Sequence, residues 1–204
     1  MSNYSSENKR IAKNTLALYA RTIIVMLVSL YVSRALLEKL GVNDFGVYSV
    51  VGSIVILFSF LDNALTQSSQ RFLTVSLGEG DLDKMKRVFN TAISIQIIMV
   101  VIAIVLLETV GIWFLNNRLS FPEGRVEAAN YAFQFSILTF RLNFLRAPYI
   151  ASVVAYERLD FFAYASIVDA MLKLGIVFAI GATEEDRLIT YAGLLSLESF
   201  TMLM

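Results

Sequence analysis

An all-α polytopic membrane bundle of about six transmembrane helices is the fold class that the sequence predicts, and three observations carry it. Of the 204 residues, 57% are hydrophobic and only 17% charged, where a soluble domain carries about 25% charge. Mainly apolar stretches of roughly 20 residues, enough to cross about 30 Å of hydrocarbon, recur along the whole chain. Two prolines and ten glycines are too few for a loop-rich fold. The formal net charge is zero, so no global basic field points to nucleic acid. With no Cys and no His, thiolate and imidazole metal sites, Cys or His nucleophiles and a Ser-His triad are all excluded.

Six windows, in order, predict the spans: 12–37, 45–69, 86–111, 126–150, 160–181 and 187–204. The first two meet at "EKLGVNDFG" (38–46), where Gly41 stops one helix and Asp44 is a candidate N-cap for the next. The turn "SLGEGDLDKMKR" (76–87) supplies two glycines and then Asp81 and Asp83 ahead of the third window. That window contains "IIMVVIAIVLL" (97–107), apolar on every face, as expected of a helix in lipid. Pro122 in "NNRLSFPEG" (116–124) marks the approach to the fourth helix. Short charged turns, "YERLD" (156–160) and "GATEEDR" (181–187), bound the fifth. No long linker or low-complexity tract interrupts the chain, which reads as a single bundle over 1–204. The last window stops at "SFTMLM" without a charged anchor, so the chain is expected to be the N-terminal portion of a longer protein, cut within its sixth helix.

Lys and Arg near the helix ends orient the bundle. Lys9, Arg10, Lys13, Arg71, Lys84, Lys86, Arg87 and Arg158 fall on the side of the N-terminus. Lys39, Arg118, Arg125 and Arg187 fall on the other. The excess predicts a cytoplasmic N-terminus, with Trp113 as an anchor at the outer interface. No short apolar core precedes a small-residue cleavage site, so the first helix is expected to act as its own insertion signal.

Five basic residues remain inside the windows: Arg21, Arg34, Arg141, Arg146 and Lys173. Arg34 and Arg146 lie near helix ends, where snorkelling accounts for them. Arg21 lies about 15 Å into its helix. Asn14, Arg21, Thr22, Ser29 and Ser33 fall within roughly 120° of one another on that helix, a stripe suited to protein or water rather than lipid. Glu127, Asn130, Gln134 and Arg141 share a face of the fourth helix, and Arg141 is again near mid-depth. The second helix carries Ser59, Asn63, Gln67 and Gln70 on one stripe, with Asp62 at its edge. Asp169 and Lys173 stand four apart on the fifth helix, acid first. Glu198 lies about 18 Å into the sixth.

An intramembrane charge costs at least about 2.5–3.5 kcal/mol on insertion scales. Two arrangements meet that cost. The charges can pair, Arg21 with Asp62 and Lys173 with Asp169, or they can share a wet cavity. In the second case Arg21 and Arg141 suit a phosphate or pyrophosphate, which guanidinium grips bidentately. Asn14, Ser29, Asn63, Gln67, Asn130 and Gln134 would then meet sugar or water. Asp62, Asp169, Lys173 and Glu198 would form a coupling or structural ion pair. No phosphate loop or nucleotide fingerprint is present, "GEGD" (78–81) is turn punctuation, and neither a cofactor nor enzymatic chemistry is expected.

With the helices placed, residues 14–54, "NTLALYARTIIVMLVSLYVSRALLEKLGVNDFGVYSVVGSI", and 60–94, "FLDNALTQSSQRFLTVSLGEGDLDKMKRVFNTAIS", resemble the polysaccharide-biosynthesis exporters. These are the O-antigen or lipid-linked-oligosaccharide flippases of the multidrug/oligosaccharidyl-lipid/polysaccharide superfamily. The resemblance rests on an "LG…FG.Y" turn and a "D…RF…G.GD…K" stretch, covers most of residues 10–95 well, and extends further by hydropathy only. It implies one lobe of a two-lobed exporter in the bacterial cytoplasmic membrane. Such an exporter moves an undecaprenyl-pyrophosphate-linked glycan between leaflets by alternating access. Its partners would be lipid-linked oligosaccharide, membrane lipid, and a second lobe or glycan-assembly proteins. A cavity arginine at Arg21 would hold the pyrophosphate. The alternatives are a membrane-embedded glycan polymerase or ligase using the same lipid carrier, a relative of the multidrug extruders, or a non-transporting scaffold for partner helices. The longest outer connection, about 15 residues, is short for the polymerase and ligase.

Overall fold

The computed structural model describes residues 2–183 and 186–204, with side chains described from Thr15 onward, Ala17 apart. The order of elements is α1 (Ser2–Gly78), α2 (Leu82–Leu106), a π-helical turn (Leu107–Gly111), α3 (Ile112–Arg118), α4 (Val126–Ala155), α5 (Leu159–Ile180) and α6 (Arg187–Thr201). No strand occurs among the described residues. Three stretches are long and apolar enough to cross a membrane: Leu18–Gly78, Leu82–Arg118 and Leu159–Ile180. The first covers most of the first expected span, from Leu18 onward, and all of the second. The expected spans at 126–150 and 187–204 do not qualify on length and apolarity. α4 carries Asn130, Gln134, Arg141, Asn143 and Arg146 along its length, and α6 has 15 residues.

α1 is two arms, 2–40 and 42–78, joined at Gly41, whose φ of 78° and ψ of 169° leave the helical region. An L side chain rarely adopts that φ, so a glycine marks the break. The second arm resumes helical geometry before Asp44, and the Asp44 carboxylate binds Arg125 rather than capping a helix. At the next turn the expected cap is present: Asp81 accepts a 2.8 Å hydrogen bond from the Lys84 amide.

The loops gather at two ends. At the hinge end, Arg125 donates from Nε to Asp44 Oδ1 at 2.6 Å and from a second nitrogen to Asp44 Oδ2. It also reaches Asp186 Oδ2 from Nη1 at 2.5 Å. Asp186 in turn caps α6, and Arg187 donates to the Lys39 carbonyl at 3.0 Å. At the opposite end, Tyr156 meets Met85 at 3.1 Å and Lys84 pairs with Glu79 at 2.5 Å. Successive legs therefore run between the same two ends in alternating directions.

The main core packs Val47, Val51 and Val55 of α1 against Val100, Ala103 and Leu107, and against Phe133, Ile137, Phe140 and Phe144 of α4. Ala128, Ala129 and Ala132 are small residues on α4 that let neighbouring backbones approach. A second cluster joins Leu36 and Leu40 to Val177, Ile180 and Tyr191, and a third joins Leu73 to Ala151 and Ala155. This packing sets the first arm of α1 beside α5 and the second beside α4, so side chains from α1, α4, α5 and α6 converge between them.

Candidate functional site: a charged cleft among four helices

Asp62, Arg146, Asp169, Lys173 and Glu198 form one electrostatic cluster, and Arg21 lines the cleft beside it. Asp169 organises it. Lys173 Nζ donates to Asp169 Oδ2 at 2.7 Å, one turn along α5, and Arg146 Nη1 of α4 stands 3.8 Å from Asp169 Oδ1. Glu198 of α6 is buried and within electrostatic reach of Asp169, Lys173 and Arg146. Its Oε2 accepts a 3.4 Å hydrogen bond from Ser199, while its Oε1 has no partner. Asp62, on the second arm of α1, interacts with Arg146, and its buried Oδ1 is likewise unpartnered.

Arg21 is held differently. Its guanidinium lies 4.5 Å over the Phe162 ring of α5, a cation–π contact, and its buried Nε has no hydrogen-bond partner. The pairing of Arg21 with Asp62 is not formed; Asp62 faces Arg146 instead. The pairing of Asp169 with Lys173 is formed.

A cleft of about 490 Å³ opens between these groups, lined by Arg21, Arg146, Ser166 and Asp169 with the aromatic rings of Phe161 and Phe162. A smaller one of about 200 Å³ lies further along α1 and α4, where Ser59, Asp62, Ser136, Thr139 and Asn143 supply polar groups. Depths along the helices agree: Asp169 is about 15 Å from the start of α5 and Arg146 about 14 Å from the end of α4. The cleft lining carries two guanidiniums, one of them without a carboxylate partner among the described residues. That arrangement suits an anion with several oxygens. No group of three or more His, Cys, Asp or Glu side chains among the described residues is placed to hold a metal ion.

The remaining expected site residues lie elsewhere. Arg141 is exposed and does not line the cleft; it sits about 140° around α4 from Arg146. Asn130 exchanges hydrogen bonds with Asn116 of α3 at 3.0 and 3.1 Å, and Gln134 donates to Glu108 of the π-helical turn at 3.0 Å. These amides therefore tie α4 to its neighbour. Ser29, Asn63 and Gln67 are exposed. The side chain of Asn14 lies outside the described residues.

Arg146 is the residue that sequence reasoning missed, because its nearness to a helix end explained it by snorkelling. A signal was available: Ser136, Thr139, Asn143 and Arg146 recur at i, i+3, i+7 and i+10, a second polar stripe on α4. No protein-family model matches the chain, and no curated protein or solved structure matches it either.

Proposed function

We propose that this chain is a multi-pass protein of the bacterial cytoplasmic membrane, with about six spans and a cytoplasmic N-terminus. On this reading it forms one lobe of a flippase or exporter for an undecaprenyl-pyrophosphate-linked glycan. The observation that carries the reading is the cleft flanked by Arg21 and Arg146, an aromatic-walled space at membrane depth with a guanidinium on either side. The helices that build it include two of the three stretches able to cross a bilayer. The resemblance of residues 10–95 to the polysaccharide exporters supplies the substrate class.

Arg21 and Arg146 replace Arg21 and Arg141 as the phosphate-binding pair. Arg21 is the primary ligand because its charge is shared only with a ring face. Arg146 contributes by loosening from Asp169, whose charge Lys173 still balances. The exposed amides of Asn63 and Gln67 would meet sugar or a second lobe. Translocation of this kind breaks no bond. It needs a cavity habitable from both sides and a change in which side it opens to.

The reading is tested with purified protein by thermal melting in the presence of undecaprenyl pyrophosphate or undecaprenol. The pyrophosphate lipid should raise the midpoint, and undecaprenol should not. Arg21→Ala should weaken the pyrophosphate effect at least tenfold in apparent affinity, and Arg21→Lys should retain part of it. An equal response to both lipids, or an unaltered response in Arg21→Ala, counts against the reading.

A further inference from the structure

We propose that the exposed face of α4 centred on Arg141 docks a partner transmembrane helix that presents an Asp or Glu at the depth of Arg141. The proposal rests on the reading that α4 crosses the bilayer.

Arg141 lies 15 residues from Val126 and 14 from Ala155, about 22 and 21 Å from the two ends of α4. In a hydrocarbon layer about 30 Å thick it stands near the midplane, too far from either headgroup region for its three-methylene stem to snorkel out. Its side chain is exposed, and among the described residues it makes no ion pair, hydrogen bond or ring contact. The other deep charges differ in this respect. Arg146, Asp169 and Lys173 are paired, and Arg21 lies on Phe162. A permanent cation at mid-bilayer on an outward face is stable only when something else supplies its counter-charge.

The face around it has the spacing of a helix-packing seam. Tyr131, Leu138 and Leu145 recur every seven residues, with Gln134 and Arg141 each three beyond the first two. Tyr131 and Leu138 are exposed, so the apolar half of the seam is also uncovered. Gln134 already bonds Glu108, which leaves Arg141 as the unsatisfied polar position.

Charge chooses the occupant. A second copy of this chain related by a two-fold axis along the membrane normal would set Arg141 against Arg141 at the same depth, and like charges repel. The Glu108–Gln134 bond lies about 10 Å away along α4, out of register with that contact. A helix from a different protein with a carboxylate at mid-span satisfies both the charge and the apolar seam.

The test uses the protein in liposomes. The chain contains no cysteine, so Val126→Cys carries a single acceptor dye at the exposed start of α4. Donor-labelled Leu-Ala transmembrane peptides with one central Asp, Leu or Lys serve as probes. Energy transfer should show the Asp peptide associating at least tenfold more tightly than the Leu or Lys peptide. In Arg141→Leu that preference should vanish with the melting midpoint unchanged, and Arg141→Glu should prefer the Lys peptide. Equal association of all three peptides with the unsubstituted protein overturns the proposal, as does an Asp preference that survives Arg141→Leu. Leu138→Cys, probed with a membrane-impermeant thiol reagent, separates the two readings. If it is unreactive, α4 lies in the bilayer and the peptide result judges docking alone. If it is fully reactive, α4 does not cross, and the spanning reading falls together with the docking.

Discussion

The Arg146 guanidinium stands 3.8 Å from the Asp169 carboxylate, which Lys173 also holds at 2.7 Å. One acid thus balances two bases on two helices, while Asp62 approaches Arg146 from a third leg. Each of these side chains is partly accessible, so the network is neither a sealed pair nor a surface ion pair. A shared carboxylate lets one base leave without stranding the acid, the freedom that the proposed phosphate binding would use. Glu198 closes the cluster from α6.

Arg146→Met should destabilise the bundle by about 2 kcal/mol, below the 3–5 kcal/mol typical of fully buried pairs because these groups are partly solvated. The loss leaves Asp62 without its cation. Adding Asp62→Asn to Arg146→Met should therefore restore most of the melting midpoint in detergent. A double variant no more stable than the single one would show that the two residues do not interact.

Gly41→Ala should cost about 1–2 kcal/mol, the penalty for a side chain in the left-handed region. A Cβ there meets nothing within 4 Å, so the whole effect is backbone strain. Gly46→Ala is the control: it also meets nothing within 4 Å and its φ is not positive, so it should be neutral or slightly stabilising. Chemical denaturation in micelles compares the two.

Gly111→Ala acts by crowding instead. A Cβ at Gly111 would lie 2.8 Å from Phe133 Cζ, and Phe133 is fully buried with little room to move. A loss of about 1–3 kcal/mol is expected. Gly111→Ala combined with Phe133→Leu should be less destabilised than the two single effects summed, as read by a double-mutant cycle on melting midpoints.

Arg125 bridges Asp44 and Asp186, and its removal should loosen the hinge end. The hydrogen bonds to Asp44, foremost, hold its pKa above the already high value for arginine. The stabilising charge is therefore present at every pH below the unfolded arginine value and is lost only as pH rises through the still higher folded value. Unsubstituted protein should keep its melting midpoint up to about pH 11, as far as this contact is concerned. Arg125→Lys should lose stability as pH passes roughly 10.4. Arg125→Gln should be weakened at all pH values, by about 1–3 kcal/mol for two carboxylates left without a cation.

Local rules account for much of this structure in advance. Gly41 breaks and Asp81 caps as their chemistry requires, and most of the apolar run 97–107 is exposed, as expected of a helix in lipid. The loops expected on one side of the membrane do meet at one end of the bundle. Helical periodicity also put Arg21 on a polar stripe suited to protein or water, and Asp169 four residues from Lys173. What periodicity lacks is the identity of the neighbour. Asn130 and Gln134 share a stripe with Arg141, yet the first two meet Asn116 and Glu108, and Arg141 meets nothing described. Arg146 is the converse: its position suggested an escape to the interface, but α5 stands in the way and offers Asp169. α4 is long enough to span but lacks the apolarity of α2 and α5, because it carries the polar groups that the cleft and the packing contacts use.

Solvent entry into the cleft can be read from thiol reactivity at Ser166→Cys in an otherwise cysteine-free chain, with Leu57→Cys, exposed within a stretch able to cross a membrane, as the reference. In liposomes, a charged thiol reagent should modify position 166 readily and position 57 hardly at all. Undecaprenyl pyrophosphate should slow the reaction at 166 at least severalfold, and undecaprenol should not. A cysteine at 166 as inert as the one at 57 would mean a dry cleft that no phosphate enters, and would contradict the role assigned to Arg21 and Arg146.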